Sequence, residues 1–221
     1  MEGLGIVKYL FNCLLEIVYP RAYKCISCKM DIDEDVLCSK CLSQSSEANG
    51  SYKTLDIEKM YSCRYYSDSM RKLIVAYKSK KNFEVGEYFI KILIDKIEKE
   101  KIEFDLITFV PSSKVTIRKR GFDHGRYLAK GISSYFNKEI IEILYKTENS
   151  KEQKKLSAYE RRKNMESAFK IIEKKSSVDG KRILFIDDIL TTGYTVSICK
   201  SIIEKSYKVD IIPLTVIKSS I

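Results

Sequence analysis

The residues best suited to chemistry lie in the stretch KRILFIDDILTTGYT, residues 181–195. Two adjacent acids, Asp187 and Asp188, follow an apolar run that is typical of a buried strand. The loop behind them consists of Thr191, Thr192, Gly193, Tyr194 and Thr195. Glycine permits a tight turn there, and N–H groups at the start of the helix that follows favour a phosphate. Because carboxylates suit hydroxyl groups or a magnesium ion, the stretch predicts a site for a sugar phosphate with free hydroxyls.

Strand-like and helical segments alternate along most of the chain, which predicts an α/β fold with a parallel sheet flanked by helices. Strands are expected at 61–66, 104–111, 139–146, 182–187 and 209–217. Helical patterns occupy 70–102, around a lysine-rich turn at 78–81, and then 121–136 and 196–207. In such folds ligands bind at the carboxyl ends of the strands, where the pattern puts Asp187 and Asp188.

The composition fits one domain of ordinary size with a small appendage, since the chain has 221 residues and 44% hydrophobic content. Small polar residues dominate 43–51, and we place the boundary there. This predicts an N-terminal helix and cysteine module at 1–45 and a larger domain at 52–221. A net charge of +10 makes anionic partners such as nucleic acid or phosphorylated small molecules plausible, although a general lysine bias explains part of it.

The first residues are apolar, but polar side chains interrupt the run 5–20 at helical spacing. We interpret this run as an amphipathic helix packed on its own domain, with a membrane-surface or partner helix as the alternative. It is too short and too polar to span a bilayer, and no other segment approaches that length, so no membrane span is predicted. We expect a cytoplasmic protein.

Seven cysteines occur, and four form the two pairs CISC (Cys25, Cys28) and CSKC (Cys38, Cys41). Two such pairs, nine residues apart, can bring four thiolates together around one ion, which predicts a structural zinc site in preference to redox cysteines or coincidence. The other three, Cys13, Cys63 and Cys199, are expected to pack as small hydrophobic residues.

The stretch 181–195 resembles the signature of type I phosphoribosyltransferases. The segment FVPSSKVTIRKRGFDHGRYLA, 109–129, resembles an element of the competence-associated ComF family. That family's second signature is similar to LYKTENSKEQKKLSAYERRKNMESAF, 144–169, with matches at Gln153, Leu156, Ser157, Arg161, Asn164 and Phe169. The four-cysteine module belongs to the same pattern, so the chain is identified as similar to the ComF family.

The resemblance implies a phosphoribosyltransferase fold that binds phosphoribosyl pyrophosphate (PRPP) with Mg²⁺. The paired acids would meet the ribose hydroxyls, and the loop 191–195 would hold the 5-phosphate. Exposed N–H groups of the loop with Pro111, Ser112 and Ser113 would hold the pyrophosphate. Candidates to neutralise this leaving group are Lys114, Arg118, Arg120, Arg161 and Arg162, and we count Arg161 with Asp187 and Asp188 as catalytic. The polar segment 147–162 is interpreted either as a mobile lid or as a solvated loop.

Two functions remain open from the sequence. The resemblance implies a role in natural transformation, in which a PRPP-binding protein would also receive single-stranded DNA from the uptake machinery. Residues 112–131 contain six basic residues against one acid, interleaved with aromatics, which suits DNA, although these bases would equally serve pyrophosphate or solvent. The alternative is an active transferase with an unidentified small-molecule acceptor. We interpret the single histidine, His124, as a surface or helix-capping residue.

Overall fold

The computed structural model describes residues 23–33, 35–54, 57–148, 167–172 and 178–219. Its strands are β1 (Tyr23–Lys24), β2 (Asp31–Ile32), β3 (Tyr52–Thr54), β4 (Ile57–Tyr65), β5 (Leu106–Phe109), β6 (Glu139–Ile140), β7 (Leu144–Lys146), β8 (Phe169–Ile171), β9 (Arg182–Leu190) and β10 (Asp210–Lys218). Its helices are α1 (Ser39–Ser43), α2 (Asp68–Lys80), α3 (Phe83–Lys99), α4 (Lys114–Arg120), α5 (His124–Phe136) and α6 (Tyr194–Ser206). The predicted N-terminal helix, 5–20, and Cys13 lie outside the described residues.

A six-stranded sheet organises the larger part of the chain, in the order β3-β4-β10-β9-β5-β6. Every neighbouring pair from β4 to β6 is parallel, and only β3 at one edge runs antiparallel. The predicted α/β class, a parallel sheet with helices, is therefore confirmed. Because parallel strands in register end at the same edge, the carboxyl ends of β5 and β9 lie side by side.

The central strand β9 is buried on both faces, which explains its unbroken apolar run ILFI. Successive side chains of a strand point to opposite faces. Leu184 and Ile186 accordingly join the core under α2, α3 and α5, whereas Ile183 and Phe185 join the core under α6. Helices therefore cover both faces of the sheet, and the two cores fix β9 between them.

Side-chain caps begin the helices that surround the carboxyl edge of the sheet. Ser67 caps α2, Asn82 caps α3, Ser113 caps α4 and Asp123 caps α5, each by accepting a backbone N–H of the first turn. The lysine-rich turn is shorter than predicted, because α2 continues to Lys80 and only 81–82 separate it from α3. Lys78 therefore lies on a helix, with consequences for the site.

The cysteine module packs on helix α2 and shares the core on that face. Val36 and Leu37 are buried in the same hydrophobic cluster as Met70 of α2. At the polar rim of this contact, Lys72 Nζ donates to the Ser27 carbonyl oxygen at 3.1 Å. The first half of α2 thus supports the module, and its last turn lies at the sheet.

The polar segment that follows the module is ordered along β4. The N–H of Ala48 donates to the Cys63 carbonyl at 3.0 Å, and the Tyr65 N–H donates to Ser46. Lys96 Nζ of α3, buried, donates to the Ala48 carbonyl at 2.5 Å. Composition alone predicts a linker there, but backbone pairing and one buried lysine attach it to the sheet.

Two predicted strands differ from the structure. The segment 139–146 forms two strands, since β6 pairs with β5 while β7 turns away to pair with β8. The strand predicted at 182–187 continues to Leu190, so both acids lie within β9 and not after it. No helix within the described part of the chain is long and apolar enough to cross a membrane.

Candidate functional site

The structure brings three predicted segments to one edge of the sheet. β5 ends at Phe109, whose register partner is Ile186, the residue before the acid pair. The loop with Pro111, Ser112 and Ser113 follows β5, and the loop 191–193 follows β9. The acid pair and both candidate phosphate loops therefore border one crevice at the carboxyl ends of the strands.

Asp188 forms a buried ion pair with a residue that the sequence reading did not single out. Its side chain is 4% exposed, and its Oδ2 contacts the ammonium of Lys78, whose side chain is 20% exposed. The Nε2 of His124 lies 3.5 Å from the same oxygen. Burial opposes ionisation of Asp188, but the Lys78 charge outweighs it and lowers the pKa of this carboxyl below its ordinary value.

Asp187 has the opposite electrostatic environment. Burial of its carboxylate and the neighbouring Asp188 charge raise the pKa of Asp187 to about 8. Its Oδ1 accepts the Asp188 N–H at 2.9 Å. The two acids thus differ at neutral pH, because Asp188 is ionised against Lys78 while Asp187 favours its protonated form. A neutral carboxyl can both donate to and accept from a ligand hydroxyl.

His124 lies in the crevice, and its interpretation as a surface or helix-capping residue is wrong. The cap of α5 is Asp123, while the His124 ring is 12% exposed and faces Asp188. Its Nδ1 lies 3.1 Å from Arg120 Nη1 and 3.0 Å from Ser112 Oγ. Since arginine can only donate, Nδ1 accepts and the proton of the neutral ring lies on Nε2, toward Asp188. Burial lowers the pKa of His124, which favours this neutral ring.

The loop after β9 leads directly into helix α6. Thr191 and Thr192 are exposed, and Gly193 precedes the helix with φ 75°, a conformation that favours glycine. Within the described residues, no side chain caps this helix. Tyr194 and Thr195 form its first turn and are half-buried. The first-turn N–H groups and the threonine hydroxyls therefore offer donors to an anion beside the acid pair.

The loop after β5 is built differently from what its sequence predicts. The Val110 N–H donates to Ile186 at 3.0 Å, and the Ser112 N–H donates to Asp123 Oδ2 at 2.9 Å. Because proline has no N–H, only Ser113 of residues 110–113 retains one beyond these two bonds. The expectation of several exposed N–H groups for a pyrophosphate is therefore wrong, and side chains must supply most of any anion binding here.

The basic candidates divide into two groups. Arg120 turns toward His124 in the crevice. Lys114 and Arg118 are exposed on α4, a helix with no buried residue. Arg161 and Arg162 lie outside the described residues, as does most of the candidate lid at 147–162, and so do Gln153, Leu156, Ser157 and Asn164.

The four cysteines converge as predicted. Their Sγ atoms lie within 4.8 Å of one another, and Cys28 Sγ lies 3.7 Å from Cys38 Sγ. A tetrahedral zinc with Zn–S bonds of about 2.3 Å would separate its sulfurs by about 3.8 Å. Burial opposes ionisation of Cys25, but N–H donors of Cys28 and Cys38 outweigh it and lower its pKa to about 6. The cluster could therefore hold a zinc ion. Cys63 and Cys199 are buried, as small hydrophobic residues would be.

A magnesium ion fits the acid pair less well. One ligand atom each from His124, Asp187 and Asp188 lies within 4.8 Å of the others, which is close enough for shared coordination. However, the ammonium of Lys78 already contacts Asp188 Oδ2. A divalent ion on that oxygen would face the ammonium at contact distance, and magnesium prefers oxygen ligands to imidazole. We therefore assign no resident magnesium to these side chains.

The two residues that the sequence reading missed differ in the signal they left. Lys78 follows Ile74 by four residues, so helical spacing puts it on the buried face of α2. The cluster of lysines around it suggests a solvated turn instead. His124 carries no comparable signal, because its partners Ser112 and Asp188 come from distant positions that only the folded sheet brings together.

Comparisons with known proteins agree with this description. No family model matches the chain. Competence protein F of Haemophilus influenzae is 23% identical over 174 residues, which cover 76% of this chain and 72% of that protein. Competence protein ComFC of Streptococcus pneumoniae is 25% identical over 146 residues, 66% of this chain, and the match spans 62% of the relative's length.

Solved structures that resemble the chain include adenine phosphoribosyltransferases. The enzyme of Thermoanaerobacter pseudethanolicus has a TM-score of 0.42 and 18% identity, covering 63% of this chain and 83% of the enzyme. The Saccharomyces cerevisiae enzyme has a TM-score of 0.44 and 12% identity, covering 81% and 86%. The two competence proteins and the four-cysteine cluster together confirm the resemblance predicted from the motifs: the chain is a ComF-like α/β protein.

Proposed function

We propose that the crevice binds PRPP, supplied as its magnesium complex. The observation that carries the proposal is the placement of Asp187 and Asp188 immediately before the loop and helix N-terminus at 191–195. A ribose phosphate presents hydroxyls and a phosphate at a comparable separation, so one ligand can use both features. The adjoining β5 loop then faces the other end of the ribose, where a diphosphate would lie.

Each part of the site has a distinct role in this proposal. Asp187 and Asp188 would accept the ribose hydroxyls, and Thr191, Thr192 and the first turn of α6 would bind the 5-phosphate. Arg120 lies beside the β5 loop and would neutralise the diphosphate. Magnesium would accompany the ligand, whose diphosphate oxygens are the ligands it prefers.

Calorimetric titration with PRPP and Mg²⁺ tests the proposal. Wild-type protein should bind, and Asp188→Asn should weaken binding at least about tenfold, the value of one charge-assisted hydrogen bond. Asp210→Asn is the matched control, because Asp210 is exposed at the opposite end of the sheet. An absence of both heat and thermal shift with wild-type protein would contradict PRPP binding.

A second candidate function, binding of single-stranded DNA, is favoured by the surface of α4. This helix buries no side chain and exposes Lys114, Arg118 and Lys119. Near its C-terminus, Phe83 is 45% exposed and packs 5.3 Å from the ring of Phe122. Exposed cations beside aromatic rings suit a nucleic-acid backbone and its bases. The competence names of the relatives support a role in natural transformation, with the DNA-uptake machinery as partner.

DNA binding can be tested separately from PRPP binding because the basic residues divide. Fluorescence anisotropy with an oligothymidylate should show affinity that falls steeply with salt. The double variant Arg118→Ala, Lys119→Ala should flatten that slope by about two units and leave PRPP binding unchanged. Lys91→Ala, on the exposed side of α3, is the control. A salt slope unchanged by the double variant would exclude α4 as the binding surface.

The four-cysteine cluster is proposed to bind one structural zinc. Its geometry and the N–H donors to Cys25 support this assignment. Metal analysis of purified protein should give one equivalent of zinc, and Cys38→Ser should reduce it. Clearly less than one equivalent in the wild-type protein would remove the assignment.

A further inference from the structure

We infer that Lys78 is a positioning residue of the ribose-phosphate site, a tethered cation that takes the place of a divalent metal on the acid pair. This role rests on the proposed function of the crevice. The Lys78 ammonium contacts Asp188 Oδ2, and helix α2 delivers it from outside both phosphate loops. The protein thereby carries its own counter-ion for the acid that meets the ligand.

Burial makes this counter-ion necessary. The Asp188 side chain is 4% exposed, and an unpaired carboxylate at that depth would be neutralised or would destabilise the fold. His124 does not meet the need, because Arg120 on its Nδ1 and its own burial keep the ring neutral. Lys78 is therefore the only cation in contact with Asp188 within the described part of the chain.

The position of Lys78 also excludes a free divalent ion. Without its ammonium, His124, Asp187 and Asp188 would present three ligand atoms within 4.8 Å of one another, an arrangement that can hold a metal. With the ammonium present, a divalent ion on the same oxygen meets direct charge repulsion. The acid pair is therefore reserved for ligand hydroxyls, and magnesium enters only on the diphosphate.

Removal of Lys78 should consequently create a metal site. Manganese(II) alone is the probe, because it prefers oxygen ligands and its free and bound forms are distinguished by electron paramagnetic resonance. Lys78→Met should bind one Mn²⁺ at least about tenfold more tightly than wild type, as expected when one buried like charge is removed. Adding Asp188→Asn to this variant should abolish the gain. Lys80→Met, in the same helical turn and exposed, should behave as wild type.

The outcomes separate this inference from the proposed function, since no PRPP is present. Wild-type protein that binds Mn²⁺ as tightly as Lys78→Met, with loss in Asp188→Asn, would overturn the role of Lys78 and leave PRPP binding intact. If Lys78→Met does not fold in buffer, folding restored by Mn²⁺ supports the inference, and no restoration contradicts it. Lys78→Arg, which keeps the cation, should fold and should exclude Mn²⁺ as wild type does.

Discussion

At the residue scale, the Asp188–Lys78 pair governs both the stability and the chemistry of the crevice. Asp188→Asn should lower the free energy of unfolding by about 3 kcal/mol, because it leaves a largely buried ammonium without its carboxylate. Asp68→Asn removes a carboxylate from an exposed pair with Lys72 and should cost less than about 1 kcal/mol. Urea denaturation of both variants measures the difference. Equal losses would show that the buried pair adds no stability beyond an ordinary surface pair.

The residues of the site were predictable to different degrees. The acids and the threonine loop were found because they are contiguous, so their chemistry is visible along the chain. His124 could not be found in this way, since its role depends on Ser112 and Asp188, which long-range sheet pairing brings beside it. The N–H groups of the β5 loop were misjudged for a related reason, because Asp123, eleven residues away, accepts one of them.

At the element scale, the turn into α6 depends on backbone conformation. Gly193 has φ 75°, and Gly180, in the turn before β9, has φ 78°. Alanine at either position should cost about 1–2 kcal/mol of stability, because side chains disfavour this conformation. Only Gly193→Ala should also weaken PRPP binding, since it alone adjoins the phosphate loop. Thermal melts and calorimetry of both variants test this, and equal PRPP affinities would show that the turn is structural only.

The linker along β4 has an acid-sensitive attachment. Hydrogen bonding from Lys96, with the Gly50 N–H, outweighs burial and lowers the pKa of Glu100. A carboxylate with a lowered folded pKa stabilises the protein above its ordinary value of about 4.5, and this stability disappears as pH falls through the folded pKa. Wild type should therefore exceed Glu100→Gln in stability at pH 7, and the gap should close below about pH 4. A gap that does not change with pH would contradict the pairing.

Element types followed from the sequence more readily than element boundaries. The run ILFI in β9 marks a strand buried on both faces, and the capped amphipathic helices were equally visible. The segment 139–146 misled because its apolar residues continue through 141–143, where the chain leaves one sheet for another. Hydrophobicity identifies burial, but it does not specify which partner strand provides it.

At the scale of the whole molecule, the cysteine module and the sheet should unfold together. Val36 and Leu37 share one hydrophobic core with Met70 of α2, so loss of the metal would expose surface on both sides. A strong chelator should lower the melting temperature by about 10 °C, as expected for a loss of about 3–4 kcal/mol, while one transition remains. Calorimetry with the variant Cys38→Ser as control measures this. Two separate transitions would show an independent module.

Helix α2 spans about 20 Å, at 1.5 Å for each of its 13 residues. Its first half bears on Ser27, between the first two cysteines, and its last turn carries the ammonium that holds Asp188. The helix thus acts as a strut between a thiolate cluster and a sugar-phosphate pocket. Oxidation or metal loss at one end would shift the counter-ion at the other, which would make ligand affinity in the crevice responsive to the cell's zinc and redox state.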